Sequence, residues 1–147
     1  MCGTNDLKED MDNEEERILD IYKRYKGKLQ AIRDINPKCK LFVCPVLPSR
    51  DRSLTLKISI FNKYLFHDLQ NSNLCVNIVE GFNVFADHGV LKTELHDKRT
   101  AGDILHINEK GCSILVKLIK KSIFSIKEHR NRHMTGRLFS HVVRPRY

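Results

Sequence analysis

Two short apolar runs, Lys40-Leu41-Phe42-Val43-Cys44-Pro45-Val46 and Leu74-Cys75-Val76-Asn77-Ile78-Val79, constrain this chain more than any other feature. Each is shorter than a typical helix and apolar at successive positions, the pattern of a strand buried on both faces of a parallel sheet. Parallel strands need a long crossover, and the intervening segment supplies it. Leu54, Ile58, Phe61, Leu65 and Leu69 recur at helical spacing and predict a helix from about Ser53 to Leu69. Ahead of the first run, Ile18, Tyr22, Tyr25, Leu29 and Ile32 mark one face of a helix from about Asn13 to Ile35. Glu14, Glu15 and Glu16 suit its dipole-positive first turn, and Asn36-Pro37 stops it.

After the second run, Glu80 to Gly102 shows no sustained period. It is expected to be a long loop, with a short helical piece near Asp87 to His96. A last helix is predicted from about Asn108, its N-cap, to Phe124, with Cys112, Leu115, Leu118, Ile119 and Ile123 turned inward. The alternation of helices and strands predicts an α/β fold with a parallel sheet and helices on both faces.

A chain of 147 residues with 41% apolar content suits one packed domain. Its net charge of +8 is unevenly placed: acids crowd the first twenty residues, and the stretch from Lys117 to Arg146 is basic. Residues 1–126 are assigned to the domain and 127–147 to a loosely ordered tail. Arg130, Arg132, Arg137, Arg144 and Arg146, with Phe139 and Tyr147 nearby, suit a phosphate backbone and stacked bases, so nucleic acid is one expected partner. The other reading is a solvated basic extension, because no RNA-binding signature accompanies the charge.

Five cysteines leave one unpaired in any full pairing, and none lies in a metal-binding or redox spacing. This usage predicts a reducing, intracellular setting, cytoplasmic or nuclear. Cys44, Cys75 and Cys112 fall in apolar segments and are expected to be buried thiols. No apolar run is long enough to span a bilayer and no export signal opens the sequence, so no membrane partner is expected.

Asp103 and His106 stand three residues apart, where a glycine-marked loop enters the last helix. A carboxylate can accept the Nδ1 proton of an imidazole, fix its tautomer and leave Nε2 free to take a proton from a hydroxyl or thiol. The same spacing also suits an N-terminal cap and a surface ion pair. In a parallel sheet, the loops at the strands' C-terminal ends line the binding crevice, and Gly3 to Asn5, Ser49 and Asp103 to His106 are all expected there. His88, His96, Asp103 and His106 match no zinc spacing, so neither a metal nor a cofactor is expected.

Gly3-Thr4-Asn5-Asp6 and Asp103-Ile104-Leu105-His106-Ile107-Asn108 resemble, in order and spacing, the third and fifth sequence blocks of the SGNH hydrolase (GDSL esterase/lipase) family. Leu41 to Pro48 resembles the strand between those blocks, and the resemblance extends from Gly3 to about Phe124. It implies a flavodoxin-like three-layer α/β/α fold and a serine ester hydrolase activity. It also implies Asn5 as oxyanion donor, His106 as general base and Asp103 as the acid orienting it. The family's nucleophilic serine lies in an upstream G-D-S motif, and no G-D-S occurs in these 147 residues. Ser49, Cys2 and Thr4 do not hold its position. The resemblance therefore implies the C-terminal half of such a domain, truncated at its N-terminal half and inactive alone, with an ester or acyl substrate only if the missing half is supplied. The truncation also predicts an exposed strand edge, a route to self-association. Such domains occur in some retroelement reading frames, a setting that a basic tail fits.

Overall fold

A computed structural model describes residues 6–8, 13–99 and 103–138, with side chains inside the last helix described through residue 125. Helix α1 spans Glu14–Ile35 and carries its three glutamates in the first turn. Strand β1, Leu41–Val43, leads through Pro45 and Pro48 into α2, Arg52–Tyr64, and a wider turn over Leu65–Leu69 continues that helix. Strand β2, Val76–Ile78, pairs parallel to β1, with Leu41 opposite Val76, Phe42 opposite Asn77 and Val43 opposite Ile78. The main-chain N–H of Val79 donates to Val43 O at 2.9 Å and prolongs the ladder. The chain is thus a mixed α/β protein in which helix crossover and parallel strands fall where the apolar periods put them.

The core is built where the three apolar stripes meet. Ile18, Ile21 and Tyr22 of α1 pack with Leu54, Ile58 and Phe61 of α2 and with Val43 of β1, and all are buried. Tyr22 stacks on Tyr64 with ring centroids 5.2 Å apart and meets Phe61 edge-on at 6.3 Å, geometries that add to area burial. Its hydroxyl donates to Asp68, which also takes a bond from Lys26 Nζ at 2.7 Å. Burial, first, and then the bond to Asp68 push the Tyr22 hydroxyl far above its ordinary pKa. Asn62 of α2 satisfies both main-chain groups of Val46, each at 2.8 Å, and so holds the chain as it leaves β1. At the other end of the strands, the Arg33 guanidinium collects the carbonyls of Pro37, Cys39, Leu74 and Cys75, joining the entrances to β1 and β2.

The segment expected as a loop has more structure than its sequence period showed. Phe82–Phe85 forms a tight helical turn, and β3 (Ala86–Asp87) and β4 (Val90–Leu91) make a two-stranded hairpin. His88 and Gly89 both adopt positive φ at its tip, as a twisted two-residue turn requires. A second tight turn over Thr93–Leu95 follows. Phe85, Leu91 and Leu95 are buried in a second small cluster, with Ile114, Leu115 and Leu118 packed against it. Elements of two to four residues cannot display a period, so only the tertiary contacts reveal them.

Helix α3 runs over Glu109–Leu138, beyond the predicted end at Phe124. The part of the basic stretch expected to be loosely ordered is therefore helical through Leu138. Lysine, arginine and glutamate are good helix formers, and a helix continues without an apolar stripe until a breaker intervenes. Leu115 and Leu118 face the body as expected, whereas Cys112 and Ile123 are exposed. Cys44 and Cys75 are also exposed, overturning the expectation of buried thiols. Cys44 follows the last paired residue of β1, and Cys75 precedes β2 at a positive φ, so the apolar runs extend beyond the buried strand positions. Among the described residues β1 pairs only with β2, leaving its other edge without a strand.

Candidate functional site

The C-terminal end of β1 feeds a loop whose tip is Ser49, a fully buried residue. Its Oγ donates to Ile104 O at 3.1 Å and accepts the Asp51 N–H at 2.9 Å. Arg50 N–H donates to the same Ile104 carbonyl at 2.9 Å, and Leu91 N–H to Ser49 O at 2.8 Å. Ser49 thus ties the segment bearing Asp103 and His106 to the end of β1, beside the start of α2. With both hydroxyl bonds used and no solvent access, it is a structural tether and not a substitute nucleophile.

Asp103 and His106 are brought together as the spacing anticipated: His106 Nδ1 lies 2.8 Å from Asp103 Oδ2. The second carboxylate oxygen accepts the N–H groups of Leu105 at 2.9 Å and His106 at 3.3 Å. The Leu105 N–H bond is the main stabiliser of the charged form, with the His106 bonds adding to it. Together they outweigh partial burial and hold the Asp103 carboxyl below the usual carboxylate range. An ionised carboxylate only accepts, so Nδ1 of a neutral His106 carries the hydrogen and Nε2 presents its lone pair. The Asp103 side chain is 10% exposed and that of His106 is 69% exposed. Nε2 has no hydrogen-bond partner among the described residues.

Asp103 is not the cap of the helix that follows. That role belongs to Asn108, whose Oδ1 accepts the Gly111 N–H at 3.0 Å. Its amide also donates to Glu94 O at 2.9 Å and His96 O at 3.2 Å. The segment around His96 runs antiparallel to Ile107: Asn108 N–H donates to Leu95 O at 2.8 Å and Asp97 N–H to His106 O at 2.9 Å. Gly111 permits this approach, since a Cβ there would lie 2.8 Å from Ile107 Cβ and 3.1 Å from Leu95 O. The His96 ring reaches Asp103 O at 2.7 Å. Neither His96 nor the tether through Ser49 was legible in the sequence, because both act on main-chain groups of residues distant along it.

A groove of about 380 Å³ runs beside Asp103, lined by Leu7, Lys8, Leu54, Lys57, Asp103 and Ile104 among others. Lys57 is almost wholly buried and forms an ion pair with Glu14 at 2.8 Å. Asn5 lies outside the described residues, but Leu7 and Lys8, two and three positions later, share this groove with Asp103. Arg130, Arg132 and Arg137 fall within α3 with side chains outside the described part, and Arg144 and Arg146 lie outside it altogether. Among the described residues no group of histidine, cysteine and acidic side chains is arranged to hold a metal. No described helix is long and apolar enough to cross a membrane.

No family model, curated protein or solved structure matches this chain. The fold and the site by themselves define a mixed α/β protein that presents an oriented acid and imidazole on the loops beyond a parallel strand pair. No described hydroxyl or thiol is bonded to the free ring nitrogen.

Proposed function

We propose that this chain carries the acid, base and oxyanion portion of an SGNH-type ester hydrolase with a flavodoxin-like α/β/α architecture, and that the nucleophilic serine comes from outside these 147 residues. The Asp103–His106 geometry carries the reading: a carboxylate fixed by main-chain N–H groups, an Nδ1 contact of 2.8 Å and an open Nε2. Leu7 and Lys8, two and three positions after Asn5, line a groove with Asp103, which supports the reading, and the open edge of β1 offers pairing groups to a further strand.

In this scheme His106 Nε2 removes the serine proton as the oxygen attacks the ester carbonyl, and Asp103 stabilises the imidazolium formed. The Asn5 amide donates to the tetrahedral oxyanion, a contribution worth about 3 to 4 kcal/mol of barrier where single donors have been removed. Collapse expels the alcohol, which takes the proton from His106, and water then attacks the acyl-enzyme by the reverse proton path. Without the serine, the retained pair supplies little, since loss of the nucleophile from such a unit costs on the order of a million-fold in turnover. Mixing the chain with a polypeptide carrying the G-D-S half, and following hydrolysis of p-nitrophenyl acetate, tests the proposal. Turnover should appear with the wild-type chain. A rate no higher than that of His106→Ala in the same mixture overturns it.

A second reading, binding of nucleic acid by a non-catalytic module, is favoured by α3 itself. Lys110, Lys117, Lys120 and Lys121 are exposed on it without an ion pair among the described residues, and the helix continues into the arginine-rich stretch. Affinity for a single-stranded oligonucleotide should then fall steeply with salt, survive His106→Ala and be lost on deletion of residues after Ser125. Affinity unchanged by the deletion excludes this reading.

A further inference from the structure

The groups that hold Asp103 in place extend one residue beyond the pair. The Asp103 carbonyl is an acceptor only, so at 2.7 Å the Nε2 of His96 must carry the hydrogen and donate it. His96 is half-buried, and its main chain is independently fastened by the bridge to Ile107 and by Asn108 Nδ2 on its carbonyl. Its ring therefore projects from a fixed point onto the one peptide group that sets how Asp103 leaves the loop. The next peptide group along is anchored through Ile104 O, which receives Ser49 Oγ–H and Arg50 N–H. Asp103 is thus gripped from the His96 side through its own carbonyl and from the β1 side through the next.

We propose that His96 is a positioning residue for the acid and base pair: by donating to Asp103 O it fixes the peptide plane from which the Asp103 carboxylate reaches His106 Nδ1, and so selects the His106 tautomer with Nε2 unprotonated. Its importance for catalysis rests on the hydrolase reading above, but its effect on His106 does not. His96 touches no reacting atom in this scheme. It acts through main-chain geometry, which explains why a histidine seven residues before Asp103 matters while its spacing suggests nothing. The role needs a donor at the distance of Nε2, which a glutamine amide can supply and an alanine cannot.

The test is made on the full chain without any partner or substrate. Nitrogen-15 NMR of the His106 ring, recorded above about pH 8 where an ordinary imidazole is neutral, reports which nitrogen carries the hydrogen. The wild-type chain should show Nδ1 of the pyrrole type and Nε2 of the pyridine type. His96→Ala should lose that dominance, with Nε2 moving toward the pyrrole-type range, and His96→Gln should restore it. Asp103→Asn serves as the control: with its carbonyl kept on the Leu105 N–H, it presents an NH2 donor to His106 Nδ1 in place of an acceptor. If His96→Ala retains the wild-type His106 pattern, the proposal is overturned. Should the alanine variant not fold, the wild-type chain still decides, because the donated His96 Nε2–H must appear as a slowly exchanging ring proton. Its absence under conditions that show the His106 Nδ1–H overturns the proposal equally. Failure of ester hydrolysis in the complemented mixture, with these ring signatures intact, would count against the hydrolase reading alone.

Discussion

Replacing Ser49 by alanine should destabilise the protein and loosen the loop that carries Asp103 and His106. The side chain is fully buried and its hydroxyl makes two part-buried hydrogen bonds that alanine cannot make. Asp51 N–H, bonded to Ser49 Oγ at 2.9 Å in a part-buried contact of an exposed residue, loses that acceptor at a cost of about 0.5 to 1.5 kcal/mol. Ile104 O keeps the Arg50 N–H at 2.9 Å, so its loss of the 3.1 Å bond from Ser49 costs nearer 0.5 kcal/mol. The sum is about 1 to 2 kcal/mol, a sizeable share of the roughly 5 to 15 kcal/mol that holds a domain. At about 2 to 4 °C per kcal/mol for a chain of this size, the melting temperature should fall by roughly 2 to 8 °C. Urea denaturation followed by circular dichroism measures the loss, and amide hydrogen exchange at Leu105 and His106 should accelerate beyond the global change. A variant within about 0.5 kcal/mol of wild type, with unchanged exchange at those amides, refutes the tether. Labelling of Ser49 by a fluorophosphonate in the wild-type chain would refute it from the other side.

Three further outcomes are expected. Gly111→Ala should destabilise by about 1 to 2 kcal/mol despite alanine's better helix propensity, because the added Cβ meets Ile107 Cβ at 2.8 Å and Leu95 O at 3.1 Å. Urea titration checks the sign, and a more stable variant would show that α3 shifts freely. Bonds from Lys26, first, and Tyr22 hold the Asp68 carboxyl below its ordinary pKa, so the folded value lies under the unfolded one. The contribution of Asp68 is therefore present above about pH 4 and lost as pH falls through the folded value, and Asp68→Asn should flatten the acid limb of a melting-temperature profile taken down to about pH 2. In the complemented mixture, Asp103→Asn should lower kcat by about 10⁴ while leaving the far-ultraviolet spectrum unchanged, because the asparagine carbonyl can still accept the Leu105 N–H but cannot hold the required tautomer.

Much of the fold was legible because its long elements repeat. Five apolar residues at helical spacing placed α1 to within a residue at its start, and five more placed α2 with its terminal wider turn. The two apolar runs marked β1 and β2 but overstated their length, since an apolar side chain also suits buried residues outside the paired strands such as Leu74 and Val79. Of the short helical piece expected near Asp87 to His96 only the turn Thr93–Leu95 is present, and the hairpin and the turn Phe82–Phe85 were not legible. Their residues are held by the second core cluster, and nothing local announces that cluster. The α3 extension was missed for the opposite reason: a helix of charged residues has good local propensity but no stripe.

The same division runs through the site. Residue types and a spacing of three were enough to pair Asp103 with His106, because a turn of that length is a local matter and the carboxylate reaches its own following N–H groups. The sequence by itself also assigned the Asn108 cap, for the same local reason. Only the tertiary structure decided that Ser49 is a buried tether, that His96 grips the Asp103 carbonyl, that three cysteines of apolar segments face solvent, and that Leu7 and Lys8 line a groove with Asp103. Those outcomes depend on main-chain carbonyls and N–H groups, which every residue possesses and no side-chain pattern records. A buried polar group must find a partner, but which distant partner it finds is settled when the helices, strands and turns pack.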